Sequence, residues 1–254
     1  MQLAEPVAAS WKASLSLVFR NVDQKTILSQ NRSDGPLVVQ KPLYPDGPQR
    51  CHAIVVHPPG GIAGGDELFL ELKSRSKADA LLTTPGAGKW YRSAGPWARQ
   101  VLDFEVEGGL EWLPRETIVF DGALASLETN VRLGPQASFV GWEVVSVGRF
   151  KRGRLKLQTR IMQGERMLFA ERGEIEGGGR LMRSPAGLGG ASVFGTFIAT
   201  SAEKVSTRNL VVTRLPGLLI ARYLGDSSEE ALQAFTRLWK ALRPSAVEPR
   251  IWAT

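Results

Sequence analysis

The chain has 254 residues, of which 43% are hydrophobic and 22% charged, values that exclude a wholly disordered protein and predict one domain over residues 1–254, with residues 1–10 as a candidate disordered tail. The formal net charge of +7 is compatible with nucleic acid, an acidic protein or an anionic membrane as partner. One cysteine excludes an intramolecular disulfide, and the absence of a signal-like start or a membrane-length apolar run predicts a cytoplasmic location.

Most of the chain carries the alternating or short continuous apolar pattern of β-strands. It begins at Ala13, Leu15, Leu17 and Phe19 and returns in residues 53–56. It then continues through LFLEL, ADALLTT, QVLDFEV, ETIVF, ETNVRL, SFVGWEVVSV, RLKLQTRIM, VFGTFIAT, LVVTRL and LLIARYL. These short, closely spaced strands predict an all-β fold, either a meander, a sandwich or a stacked-sheet solenoid, although no fixed sequence repeat is present.

One segment near the C-terminus has the periodicity of an amphipathic helix instead. Its apolar side chains fall on one helical face, Ser227 and Glu230 have the spacing of a capping box, and Pro244 supplies the stop. The apolar face consists of Ala231, Leu232, Phe235, Leu238, Trp239 and Leu242. This helix is predicted to pack on the core of the domain itself, with docking of a partner as the alternative.

Glycine-rich segments raise the question of phosphate binding. TPGAGKW contains a Gly-Lys pair, but a P-loop needs an earlier glycine where Thr83 stands and a hydroxyl where Trp90 stands. HPPGGIAGGDEL, residues 57–68, has no lysine and carries Asp66, which would repel a phosphate. We therefore interpret its glycines, Gly60, Gly61, Gly64 and Gly65, as residues that supply positive φ in a tight connection.

The residue types give little support for a metal-binding site or for a catalytic nucleophile. Cys51, His52 and His57 are the only cysteine and histidines, and an extended CHAIVVH would separate Cys51 from His57 by about 20 Å while His52 faces the other way. Neither GxSxG nor a Cys-His signature is present. The sequence thus predicts neither a closed zinc site nor a recognisable catalytic triad, although a fold could still assemble one.

One carboxylate has an unusual position. Glu143 lies in SFVGWEVVSV, a strand that is apolar on both faces, and burying a bare carboxylate is costly. Glu143 must therefore either face a wet internal cavity or be paired with a cation, such as one of the many arginines. For Glu171 and Asp66, each considered alone, solvation at the surface is the default.

A basic segment, GRFKRGRLKLQTR, contains no acidic residue. It could bind nucleic acid, form a solvated hairpin or dock an acidic protein, but only Phe150 interleaves its charges and no RRM or cold-shock pattern accompanies it. Its cations are Arg149, Lys151, Arg152, Arg154, Lys156 and Arg160.

Six stretches, in order along the chain, resemble a known family. They read GPLVVQKPLYPDGPQRCHAIVVHPPGGIAGGDEL, LLTTPGAGKWYRSAG, LEWLPRETIVFDGA, RLPGLLIARYLG, LWKALRP and PRIWAT. Together they resemble the urease accessory protein UreD family, also called UreH. The resemblance implies a β-helix-like stack of sheets with few helices besides the one near the C-terminus.

The resemblance also implies a function. Members are non-enzymatic maturation factors for urease, whose active site holds two nickel ions bridged by a carbamylated lysine. The implied partners are UreF, the GTPase UreG through UreF, and apo-urease subunits, with neither nucleic acid nor membrane. No permanently bound cofactor is implied, only transient Ni²⁺, as expected of a metallochaperone and scaffold for nickel insertion.

The family is further thought to contain an internal, water-filled path with acidic side chains. The matching positions here are Asp66 in GGDEL, Glu143 in GWE and Glu171 in AER, with His57 as a weaker candidate. Widely spaced single carboxylates would hold Ni²⁺ weakly and leave most of its water shell in place, which favours transit over capture. Three alternatives stay open: an assembly scaffold without a conduit, a β-rich nucleic-acid module, and an unrecognised hydrolase.

Overall fold

The computed structural model describes residues 10–201, 203, 205 and 209–253, and strands dominate it. Residues 1–9, which include most of the predicted disordered tail, lie outside the described residues. The helices are α1 (Arg180–Arg183), α2 (Ser228–Leu242) and a short 3-10 helix, Arg250–Ala253. The strands are β1 (Lys12–Val22), β2 (Lys25–Asp34), β3 (Val38–Leu43), β4 (Arg50–Val56), β5 (Glu67–Ser74), β6 (Asp79–Thr83), β7 (Gly88–Trp90), β8 (Ala98–Val106), β9 (Gly109–Leu113), β10 (Thr117–Val119), β11 (Leu124–Leu133), β12 (Ser138–Ser146), β13 (Arg154–Gln163), β14 (Arg166–Glu176), β15 (Val193–Ala199), β16 (Val211–Leu215) and β17 (Leu218–Gly225).

The strands form two stacked sheets between which the chain alternates. Sheet A has the order β14-β13-β11-β8-β5-β1-β2, and sheet B has the order β16-β17-β15-β12-β9-β6-β4-β3. The parallel neighbours β5, β8, β11 and β13 of sheet A are separated along the chain by β6, β9 and β12, which are parallel neighbours in sheet B. The chain therefore winds as a coil, and the predicted mainly β, solenoid-like stack is confirmed.

A coil of this kind needs no sequence repeat, because the stacking is made by backbone hydrogen bonds. Leu70, Leu102, Thr129 and Thr159 occupy the same position in four successive parallel strands, although two are apolar and two polar. The short strands β7 and β10 pair with each other, and β10 also pairs with β12. Antiparallel hairpins close the two ends of the stack.

Two hydrophobic clusters stabilise the stack. The larger one lies between the two sheets, and the smaller one lies between sheet B and α2. Sheet B is therefore covered on both faces where β12 crosses it, which explains why β12 is apolar on both faces. Its outward residue Trp142 belongs to the α2 cluster, whereas Phe139 and Val145 face sheet A.

The predicted amphipathic helix is confirmed as α2. Ser227 is its N-cap, and its side chain accepts a hydrogen bond from the backbone N–H of Glu230. The apolar face is buried against the protein's own core, as predicted, and its aromatic residues surround Trp142. The sequence pattern did not predict α1, β2, β3, β7, β9 or β14; the second half of β2, for example, is polar and mostly exposed.

No helix in the described part of the chain has the length and apolar character of a membrane span.

Candidate functional site: an acid-bearing cavity between the sheets

A cavity of about 350 Å³ lies between sheets A and B. Most of its wall is apolar and comes from inward-facing residues of the parallel strands, among them Val55, Leu70, Leu102, Phe139, Val145 and Ile198. Glu143 and Glu171 also line it, and so does His57 at the start of the glycine-rich segment. The structure thus brings two of the three predicted acids and the weaker histidine candidate to one cavity.

Glu143 faces this cavity from the middle of β12. In the described part of the chain, no hydrogen bond or ion pair involves its side chain. Of the two environments considered for Glu143, a cavity or a paired cation, the structure therefore shows the cavity. Burial, together with the negative charge of Glu171, raises the pKa of Glu143 to about 7. Its carboxyl group is therefore close to the midpoint of its titration at neutral pH.

Glu171 approaches the same cavity from β14, the edge strand of sheet A, and has a cationic partner. Nη2 of Arg222, on β17 of sheet B, lies 2.8 Å from Oε1 of Glu171. Both side chains are about four-tenths exposed, at 44% and 41%. The ion pair joins the two sheets at one end of the cavity.

Polar side chains continue from these acids along both inner faces. In sheet A, Glu171 is adjacent to Thr159, and Thr159 is adjacent to Thr129. In sheet B, Thr196 stands between Glu143 and Arg222. All of these side chains line the cavity, so one section of a mostly apolar wall carries carboxylates and hydroxyls.

Asp66 is in a different environment. It is 3% exposed, and both carboxylate oxygens accept backbone hydrogen bonds, Oδ1 from the N–H of Trp11 at 2.8 Å and Oδ2 from the N–H of Ala63 at 2.7 Å. It is absent from the residues that line the cavity. Asp66 fixes the turn before β5 and ties it to the start of β1.

The glycine-rich segment is a tight connection, as predicted, but only part of the predicted reason is correct. Gly60 and Gly65 have positive φ angles of 72° and 95°. Gly61 and Gly64 do not; a side chain at Gly61 would collide with the ring of Tyr91, and one at Gly64 with Ser93. These two glycines are required for close packing, which local sequence cannot reveal.

The histidines and the cysteine occupy separate places. Cys51 is fully buried in the core between the sheets, and His52 lies on the other face of β4, with Nε2 3.4 Å from Oδ2 of Asp46. His57 lines the cavity, and burial lowers its pKa. Among the described residues, no group of three or more Cys, His, Asp or Glu side chains could hold a metal ion.

Sequence reasoning missed a second buried acid, Glu111 on β9. It is fully buried on the outer side of sheet B, where Arg243 Nε lies 3.0 Å from Oε1 and the indole N–H of Trp239 donates to Oε2 at 2.9 Å. Arg50 approaches at 3.6 Å. The sequence signal was present, since LEWL places an acid in an apolar strand just as GWEVV does. This acid is neutralised by arginines and joins α2 to the sheet.

Three cations of the basic segment each contact a different partner within the protein. Arg152 pairs with Asp121 at 3.0 Å, and Arg154 pairs with Glu174 at 2.6 Å. The ammonium group of Lys156 lies 4.2 Å from the centre of the Trp97 ring. Such neutralisation is typical of a solvated hairpin more than of a continuous basic surface.

Fold and site together define a β-solenoid-like protein with an acid-bearing internal cavity. A family model described as the UreD urease accessory protein matches residues 12–253. Proteins named urease accessory protein UreD are similar along almost their whole length: that of Dechloromonas aromatica is 45% identical (96% of this chain, 95% of the relative), and that of Azoarcus sp. is 45% identical (96% and 94%). The relative from Nitrosococcus oceani is 41% identical (96% and 91%).

The chain belongs to the UreD urease accessory protein family. It is therefore involved in urease maturation. The similar proteins are named as accessory proteins, which is consistent with a non-catalytic role.

Proposed function

We propose that this protein acts in urease maturation as a scaffold that binds UreF, UreG through UreF, and apo-urease, and as a conduit that conducts Ni²⁺ through the cavity between its sheets. The observation that carries the conduit role is Glu143, a carboxylate that faces an internal cavity without a counter-ion among the described residues. An unpaired acid in this position has a free-energy cost that a purely structural role does not explain.

The wall chemistry suits transit. Carboxylate and hydroxyl oxygens are ligands for hydrated divalent cations, and two separated carboxylates coordinate more weakly than a cage of several histidines or thiolates. Glu143 and Glu171 come from different sheets, and threonine hydroxyls continue from both. A hydrated Ni²⁺ ion would be attracted into this section of the cavity and released from it.

Of the three predicted path acids, Glu143 and Glu171 carry this proposal. Asp66 contributes indirectly, because its carboxylate holds the turn that follows the His57 segment. His57 lines the cavity as a polar group whose lowered pKa keeps it mostly neutral, so it would not repel a cation.

A plug variant tests the conduit separately from assembly. Gly173 lines the cavity from β14, lies opposite Leu157 and has no heavy atom within 4 Å of where a Cβ would stand. Gly173→Leu should therefore fill the space without displacing neighbours. Ala170→Leu, on the exposed face of the same strand, is the matched control.

The measurement is nickel content and activity of urease in a mixture of apo-urease, UreF, UreG and Ni²⁺. We expect Gly173→Leu and the double variant Glu143→Ala/Glu171→Ala to lower nickel occupancy while co-purification with UreF is retained, and Ala170→Leu to behave as wild type. Normal activation by both variants would refute the conduit.

The second candidate function is an assembly scaffold without a conduit. Two observations favour it: Arg222 occupies Glu171, and Asp66 is committed to backbone amides. It predicts that the plug variant activates urease normally, and that only changes which break UreF or apo-urease binding reduce activation.

A further inference from the structure

Arg222 is the one cation in the described residues that forms an ion pair with an acid of the cavity section just described. Its guanidinium donates from Nη1 to Oγ1 of Thr196 at 3.2 Å while Nη2 contacts Glu171 at 2.8 Å. It therefore stands between the acid of sheet A and the polar row of sheet B.

The strand register also relates the backbone position of Arg222 to that of Glu143. Glu143 is the cross-strand partner of Thr196, and Thr196 is the cross-strand partner of Arg222. With neighbouring strands about 4.8 Å apart, the Cα atoms of Glu143 and Arg222 are about 10 Å apart on the same face of sheet B. The guanidinium thus holds one of the two acids of this section, Glu171, whose negative charge also acts on Glu143.

The side chain is also free to leave. The Arg222 side chain is 44% exposed. Its cross-strand neighbour on the edge strand β16, Val211, is 72% exposed, so solvent borders Arg222 on this edge of sheet B. An ion pair this exposed contributes little to stability, so the contact with Glu171 is readily reversible.

We propose that Arg222 is a resident competitor for the cation in this cavity. In the resting protein its guanidinium holds Glu171, and a divalent cation gains the Glu171 carboxylate only when Arg222 turns out to solvent. The affinity of the site for a divalent cation is therefore low. Each ion must displace the Arg222 guanidinium from Glu171 on entry, and it is released when Arg222 returns. This inference rests on the proposed conduit and assigns the group that sets its affinity.

The competing explanation is structural. Arg222 could only clamp the edge strand β14 of sheet A onto sheet B. In that case its removal lowers stability and leaves cation binding unchanged or weakened. Only the competitor role therefore predicts a gain in affinity when Arg222 is replaced.

The test is calorimetric titration of Ni²⁺ into the isolated full-length protein at constant pH. We expect Arg222→Gln to bind Ni²⁺ about five- to tenfold more tightly than wild type, because one competing ion pair and one nearby positive charge are removed. Arg222→Gln/Glu171→Gln should lose this gain. Arg222→Lys, which keeps the charge but not the fork geometry, should show a smaller gain and serves as the variant with the least risk to folding.

Arg154→Gln is the matched control. Arg154, on β13, pairs with Glu174, which lies on β14 as Glu171 does. The two side chains are 54% and 37% exposed, similar to Arg222 and Glu171, but neither residue lines the cavity. This variant should bind Ni²⁺ as wild type does.

Unchanged or weaker Ni²⁺ binding by both Arg222→Gln and Arg222→Lys, with intact thermal unfolding, would overturn the competitor role. That failure is separable from failure of the conduit. Lost urease activation in the plug variant with no gain for Arg222→Gln would refute only the competitor, whereas a gain for Arg222→Gln with normal activation by the plug variant would refute only the conduit.

Discussion

Three carboxylates that look alike in the sequence have three different environments in the fold. Glu143 faces a cavity without a partner, Glu171 is shared with Arg222 at the cavity's edge, and Asp66 accepts two backbone hydrogen bonds in a turn. A carboxylate without compensation retains a free-energy cost, whereas one with two N–H donors is stabilised. The chemistry available to each acid follows from this difference.

The raised pKa of Glu143 makes stability depend on pH. The folded protein holds the proton up to about pH 7, whereas an ordinary glutamate releases it near 4.5, so the stability from the protonated form is complete below about 4.5 and lost as pH rises through about 7. Glu143→Gln cannot ionise. We expect it to be about 3 kcal/mol more stable than wild type at about pH 8 and nearly equal at about pH 4.5, measured by urea unfolding.

Glu171→Gln is the comparison for that experiment. It removes the ion pair with Arg222 and should not stabilise the protein at about pH 8. Equal unfolding free energies of Glu143→Gln and wild type at both pH values would mean that Glu143 is fully hydrated in the cavity.

For Asp66 we expect the opposite effect from that at Glu143: replacing the acid should lower the stability of the protein. Asp66→Ala leaves the N–H groups of Trp11 and Ala63 without their acceptors, and we expect a loss of about 2–4 kcal/mol in unfolding free energy. Asp66→Asn, which keeps one oxygen, should lose less. If Asp66→Ala kept wild-type stability but reduced nickel transfer to urease, Asp66 would belong to the path after all.

At the level of elements, the decisive arrangement is the attachment of α2 to sheet B. The apolar contacts between α2 and sheet B are made by aromatic packing around Trp142. The polar contacts are made by the buried Glu111 and its arginines. Burial raises the pKa of Glu111, while the charges of Arg50 and Arg243 oppose that shift. A paired buried acid of this kind costs little while intact and much when one partner is removed.

Glu111→Gln tests this attachment. It leaves Arg50 and Arg243 without their shared counter-charge, and we expect a loss of about 3–5 kcal/mol in unfolding free energy by urea titration. Glu248→Gln removes an exposed ion pair with Lys240 near the same helix and should cost less than about 1 kcal/mol. Similar small losses in both variants would show that aromatic packing alone holds α2.

At the level of the whole molecule, part of the positive charge is neutralised within the protein itself. Cations of the basic segment are partly neutralised by Asp121, by Glu174 and by the ring of Trp97. Net charge alone therefore supports weak, non-specific attraction to polyanions and no more.

A mobility-shift titration with RNA and duplex DNA tests the nucleic-acid alternative. We expect only weak binding that disappears as salt rises from about 50 mM to about 200 mM, because non-specific attraction between charges is lost when salt ions compete for the phosphates. Submicromolar binding that persists at the higher salt concentration would favour the nucleic-acid module. Lysozyme-like basic proteins of similar charge provide the non-specific baseline.

The sequence by itself determined the mainly β class, the limits and cap of α2, and the anomaly of Glu143. These depend on periodicity, local capping and the cost of burying a charge, which are all legible within a few neighbouring residues. Local sequence also identified the glycine-rich turn, but not that Gly61 and Gly64 are needed beneath Tyr91 and Ser93.

Only the tertiary structure decided which acids share a cavity and which cations reach them. Glu171 and Arg222 are far apart in sequence and meet because β14 and β17 belong to facing sheets, and Glu111 meets Arg243 because α2 folds back onto sheet B. A strand's pattern specifies which face a side chain occupies, but the partner on the opposite sheet is set by the winding of the whole chain. The electrostatics of Glu171 and Glu111 depends on such distant partners.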